Sequence, residues 1–145
     1  MKALIDLINE DSELKSVVTG YAKGMKEQMV SGLAGSSRQV FLAALQQQLD
    51  KPLLVVTHNM FSAQKIAEDL QECLSSEQVL LYPANELVAA EAAISSPETL
   101  AQRMDVLISL AKGFRGIVVV PFSGIRRYLP TKEAIIEAEL SIAVE

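Results

Sequence analysis

Two hydrophobic periods alternate along the chain. Leu53-Leu54-Val55-Val56, Val79-Leu80-Leu81-Tyr82 and Ile117-Val118-Val119-Val120 are short runs that are apolar at every position. Such runs fit strands buried on both faces, as in a parallel sheet covered by helices. Between them apolar residues recur at helical spacing. From Ser37 to Leu49 the stripe is Val40, Phe41, Ala44, Leu45 and Leu49. Ser62 can cap a second helix with an inner face of Ile66, Leu70, Cys73 and Leu74. A third has Ser96 as its cap, Pro97 at the first helical position and a stripe of Leu100, Met104, Leu107, Ile108 and Ala111. Gly113 stops that helix, with Lys112 and Arg115 near the negative end of its dipole. A weaker strand over Met29 to Leu33 completes the order β-α-β-α-β-α-β. Right-handed crossovers then predict an α/β fold, a parallel sheet covered by helices on both faces. Two short helical patterns come first, one from Ala3 to Ile8 and one after Asp11, and are expected to pack on an edge or face of the sheet.

The pattern changes after Pro130. Ala138, Leu140, Ile142 and Val144 alternate with Glu139, Ser141 and Glu145, the period of a strand with one wet face. Residues 1–130 are therefore expected to form the α/β domain. Residues 131–145 are expected to open a following small β-containing domain, cut off at the C-terminus, in which case the chain would be a fragment. No internal repeat is visible.

Composition narrows the class. Of 145 residues, 50% are apolar, 21% are charged and only 12 are Gly or Pro, which excludes a disordered, collagenous or low-complexity chain. A domain of this size buries roughly two-thirds of its unfolded surface, so it needs no disulfide or metal to hold a core. Cys73 is the only cysteine, and no Cys/His cluster of the kind that holds zinc is present. Neither a metal nor a cofactor is expected. Met1 to Glu10 does not suit a signal peptide, and no apolar run approaches the roughly 18 residues of a membrane span. A cytoplasmic protein with no membrane contact is expected.

The net charge is −5, and residues 51–100 alone carry 2 basic and 7 acidic groups. Gripping nucleic acid depends on neutralising phosphates, so this balance argues against strong DNA binding by the chain alone. Val106 to Lys132 runs the other way, with five bases (Lys112, Arg115, Arg126, Arg127, Lys132) and no acid.

Gly32-Leu33-Ala34-Gly35-Ser36-Ser37-Arg38-Gln39 lies between the first expected strand and the first crossover helix, where α/β proteins hold phosphates. The working form of such a loop is G-x-x-x-x-G-K-[ST]. Here Gly32 matches the first glycine. Ser37 stands for the glycine that lets backbone wrap the β-phosphate. Arg38 replaces the compact lysine with a planar fork, and Gln39 replaces the hydroxyl that ligates Mg²⁺. No acid pair follows on a later strand, since Ile117 to Val120 runs into Pro121-Phe122-Ser123. The loop is expected to be a vestigial phosphate loop that neither binds nor hydrolyses ATP. The plainer alternative is a Gly/Ser-rich turn that never held phosphate.

The segment Gly24 to Gln39, Pro52 to Asn59, Ser96-Pro97-Glu98-Thr99, Arg103-Met104 and Ile117 to Pro121 together resemble the N-terminal region of bacterial transcription-repair coupling factors. That region is itself similar to the first motor-type domain of the excision-repair protein UvrB. The likeness spans roughly Ser16 to Glu145 and rests on the order and spacing of these segments. It implies a degenerate RecA-like, P-loop motor-type domain. In the UvrB relatives the phosphate loop is intact and a tyrosine-rich hairpin that clamps DNA follows the third strand. Here the loop is altered, and Tyr82 to Ser96 is short, alanine-rich and lacks a second tyrosine. The resemblance thus implies a non-catalytic scaffold that helps recruit UvrA to stalled RNA polymerase. The UvrA-contacting surface would lie mostly in the small domain that follows. ATP-driven DNA translocation, and contacts with RNA polymerase and DNA, would belong to the full-length protein. The alternative is a helicase-fold ATPase or single-stranded DNA-binding fragment.

Three further features have plain and functional readings. Thr57-His58-Asn59 sits at the C-terminal end of a parallel strand, where α/β ligands collect. In helicase-like relatives this is a single-stranded DNA contact, and the plainer account is a polar strand-to-helix turn in which Asn59 bonds its own backbone. Cys73 and Met104 fall on apolar stripes and are expected in the core. Arg126 and Arg127 are either a solvated pair at a helix end or a contact patch for an acidic partner or another domain of the same polypeptide.

Overall fold

The computed structural model of the chain describes residues 2–84, 96–126 and 128–138. Helices α1 (Lys2–Asn9), α2 (Ser12–Ala22) and α3 (Ser37–Leu49) come first. Strand β1 (Leu53–Thr57), helix α4 (Met60–Cys73), a 3₁₀ turn over Ser76–Gln78 and strand β2 (Val79–Leu81) follow. The chain continues with α5 (Pro97–Ala111), β3 (Ile117–Pro121), the single turn α6 (Phe122–Ile125) and α7 (Lys132–Ala138). The sheet is parallel in the order β1-β3-β2, with Leu53 opposite Ile117 and Val79 opposite the same residue on the other side. This is the α/β architecture read from the alternating periods.

β3 lies in the centre and is buried at all five positions. On one face α4 presents Ala63, Ala67 and Leu70 to Val79, Ile117 and Val119. Of the expected α4 stripe Leu70 is fully buried, and Ile66, Cys73 and Leu74 are partly buried. Ala63 and Ala67 are buried in that cluster beside Leu70, as small residues that let a helix sit close to a sheet. A second cluster joins Ile5 of α1 and Leu14 of α2 to Val40, Ala43 and Ala44 of α3. The N-terminal helices therefore pack on α3, not on the sheet. On the opposite face Leu107 and Ala111 of α5 meet Ile135 of α7, with Tyr82 against them. Met104 is 39% exposed and Leu100 is also exposed, so the first half of the expected α5 stripe lies outside the core.

Met29 to Leu33 is not a strand, and the described sheet has three strands, not four. Met29 is 92% exposed, and Gly32 takes φ +82°, outside strand geometry. The segment is tied to α2 instead: Gln28 Nε2 donates to the Val17 carbonyl at 3.0 Å.

Several helix boundaries follow local chemistry. Asp11 caps α2, accepting from the Glu13 and Leu14 amides. Ser96 caps α5 by accepting from the Thr99 amide at 3.3 Å, with Pro97 leading the helix. Gly113 follows at φ +91°, a left-handed value that favours glycine at a helix end. After Pro130 the residues Lys132–Ala138 form a helix, so Ala138 ends a helix and does not begin the expected strand. Residues 139–145 lie outside the described residues.

Candidate functional site

The loop before α3 closes on itself. The Ser37 amide and hydroxyl both donate to the Ala34 carbonyl, at 3.2 and 2.7 Å. Ser36, at the N-cap position, makes no side-chain cap bond. Gly35 takes φ +55°, a left-handed conformation that permits the turn. Arg38 points outward and is exposed. Gln39 turns inward: it is 7% exposed, and its Nε2 donates to Asp69 Oδ2 of α4 at 2.8 Å. Its amide thus braces α3 against α4. Its Oε1 is buried and has no hydrogen-bond partner.

The end of β1 is equally specific. The buried Thr57 donates from Oγ1 to the Asn59 carbonyl at 2.9 Å. Asn59 has extended backbone (φ −148°, ψ 170°), and its side chain accepts from the Ser62 amide at 2.8 Å. Asn59 is therefore the cap of α4, and Ser62 sits inside the first turn as the donor. The extended conformation is the one a cap residue needs, which is why Asn59 takes the place expected for Ser62. His58 is exposed, with Nε2 3.4 Å from Ser62 Oγ.

These two termini face each other across a cleft of about 480 Å³. It is lined by Arg38 and Gln39 of α3, Thr57 and His58 at the end of β1, and Phe61 and Lys65 of α4, together with Gly35, Ser62 and the side of β1. The glycine loop and the Thr57–Asn59 motif are separate in the sequence, and the structure brings Gly35, Arg38 and Gln39 to one cleft with Thr57 and His58. Lys65 and Phe61 were not singled out from the sequence. Nothing in spacing marks them, because they reach the cleft only through the docking of α4 beside α3.

Arg126 is exposed and follows α6, and Arg127 lies outside the described residues. Residues 85–95, which hold most of the segment compared with the DNA-clamping hairpin, also lie outside them. Cys73 is half-buried, not fully in the core, and packs against the cluster of Ile5, Leu14 and Val40. Burial pushes its thiol above the ordinary value, and the carboxylates of Asp69 and Glu72 add to that. Among the described residues no group of three or more His, Cys, Asp or Glu side chains is placed to hold a metal ion. No helix among them is long and apolar enough to cross a membrane.

The chain is 44% identical over 137 residues to a transcription-repair-coupling factor of Bacillus subtilis, a match covering 94% of this chain and 12% of that protein. It is 29% identical over 133 residues to the protein of the same name from Staphylococcus aureus, covering 92% of this chain and 11% of that one. The chain therefore spans about an eighth of the length of the curated relatives it matches. No family model matches it, and no solved structure matches it significantly.

Proposed function

In the segment it covers, the chain belongs to the transcription-repair-coupling factor family, and from that premise we propose that it is a non-catalytic docking module of such a factor. In this reading it helps bring UvrA and the excision-repair machinery to stalled RNA polymerase. The longer protein supplies ATP-driven movement on DNA through parts outside this chain.

One observation carries the non-catalytic part. Ser37, standing where a phosphate loop has glycine, directs both its amide and its hydroxyl to the Ala34 carbonyl. A phosphate cradle needs successive N–H groups turned toward the anion, and here that junction is satisfied internally. Gln39, standing where the metal-ligating hydroxyl would be, holds Asp69 across the helix interface. Ser37 and Gln39 are thus engaged within the chain, which supports a role through contact with other proteins.

Titration of the purified chain with Mg·ATP by calorimetry tests the reading. No heat of binding is expected at nucleotide concentrations up to about 1 mM, and a dissociation constant near 1 µM, about −8 kcal/mol, would overturn it. For the recruitment part, the chain extended through its next small domain is expected to retain UvrA on a resin. Loss of retention when residues 1–130 are removed supports the module's contribution, and unchanged retention counts against it.

A further inference from the structure

We propose that the cleft between the Gly35–Gln39 turn and the first turns of α4 is a docking groove for an acidic, partly apolar peptide segment of a protein partner. The inference rests on the docking reading above and names the chemistry of what docks. Three properties of the cleft converge on it.

The first is charge. The chain carries a net −5, yet this concavity contains Arg38 and Lys65 and no Asp or Glu among its lining residues. Both cations are exposed, and neither makes a hydrogen bond or ion pair with the described residues. Asp69, one turn beyond Lys65, has its Oδ2 engaged by Gln39. Arg38 and Lys65 stand on different helices, so they offer two separated positive points and not one compact anion cradle.

The second is the unpartnered acceptor. Gln39 is more than nine-tenths buried and lines the cleft. Its amide orientation is set by donation from Nε2 to a carboxylate, which leaves Oε1 without a partner. A buried acceptor left unmade is unfavourable, and an N–H donor from a ligand would relieve it once the Gln39 side chain turns toward the cleft. A fully ionised phosphate has no proton to give. A peptide main chain has an N–H at nearly every residue.

The third is the apolar wall. Phe61 is exposed, with the half-buried Val55 and Ile66 also in the lining, and aromatic residues together with arginine are a frequent composition of protein contact surfaces. Carboxylates for Arg38 and Lys65, a main-chain N–H for Gln39 and an apolar side chain for Phe61 are all supplied by one short acidic-apolar peptide. Nucleic acid satisfies the first of these and would also have to approach a chain of net negative charge.

The test is an NMR titration of the 15N-labelled chain at low salt. The probe is an end-blocked octapeptide alternating Glu and Leu, with its Lys-Leu counterpart, Mg·ATP and oligo(dT) in parallel. Saturable shifts confined to Arg38, the Gln39 side-chain amide, Phe61 and Lys65 are expected with the acidic peptide alone. Arg38→Glu/Lys65→Glu is expected to weaken that binding at least about tenfold, as for reversal of paired charges at an interface. Both positions are exposed, and an unchanged circular dichroism spectrum confirms that the variant is folded. Phe61→Ala is expected to weaken binding less than the charge reversal. Unaltered affinity in the double variant, shifts centred elsewhere, no binding at all, or tighter binding of oligo(dT) at the same residues would each overturn the proposal. UvrA retention by the extended chain that survives Arg38→Glu/Lys65→Glu would sink the groove and leave the docking reading standing. Micromolar Mg·ATP binding would instead sink the docking reading.

Discussion

Gln46 shows how single polar side chains hold this chain together. It is buried on α3, and its Nε2 donates to the Arg115 carbonyl at 2.7 Å, tying the helix to the turn that feeds the central strand. Gln39 does the same between α3 and α4. Neither residue lies on the apolar stripe that marks α3 in the sequence, so their burial could not be read from periodicity. A glutamine reads as surface until a specific backbone or carboxylate partner is known. Replacing Gln46 by Leu keeps the volume and strands the Arg115 carbonyl. The expected loss is about 1–3 kcal/mol of unfolding free energy, read as a lower urea midpoint with an unchanged slope. By contrast, Asp50 and Arg115 form an ion pair at 3.1 Å with both side chains more than two-thirds exposed, and removing it is expected to change the midpoint little.

At the scale of elements, short apolar runs were the most legible signal. The three runs became β1, β2 and β3, and the stripe from Ser37 to Leu49 became α3 with those bounds. Met29 to Leu33 is not a strand, because a short, partly apolar run does not say whether a neighbouring strand exists to pair with it. The connection between β2 and β3 depends on a glycine whose role was not apparent in one dimension. Gly116 precedes β3, and a Cβ there would collide with the Gln78 carbonyl oxygen and the Phe114 ring. The close approach lets β2 and β3 begin in register, with Val79 opposite Ile117. Gly116→Ala is expected to cost about 1–3 kcal/mol by forcing backbone apart, measured as a depressed thermal midpoint. Gly24→Ala tests a different cause: its surroundings are open, but its φ is +82°, so any loss there reports backbone strain and not crowding.

For the whole molecule, the two faces of the sheet are unequal. The α4 face is filled by alanine-mediated packing. On the other face Leu54 and Val56 of β1 remain 61% and 47% exposed, while Val118 and Val120 of β3 beside them are buried. All four read identically in the sequence as apolar positions of a parallel sheet. Leu54→Lys is therefore expected to leave stability within about 0.5 kcal/mol. Val118→Lys, at 3% exposure, is expected to prevent folding or cost several kcal/mol through an unpaired buried charge. Urea titrations of the two variants separate the cases, and equal losses would mean that β1 is covered in solution. The cleft is a property of the same scale. Its cations come from α3 and α4 and its polar floor from α3 and β1, so no local window of the sequence contains it.

The sequence by itself determined the class of fold, three of its strands, most helix ends and the residue types of the glycine-rich turn before α3, because these depend on hydrophobic period, capping residues and residue identity within a few positions. Tertiary structure decided which polar residues turn inward, which strand lies in the centre and which apolar face stays open. It also decided that Arg38, Gln39, Thr57, His58 and Lys65 share one cleft. Those outcomes depend on how helices dock on a sheet and on the partners each buried group finds. That information is carried by pairs of residues far apart along the chain.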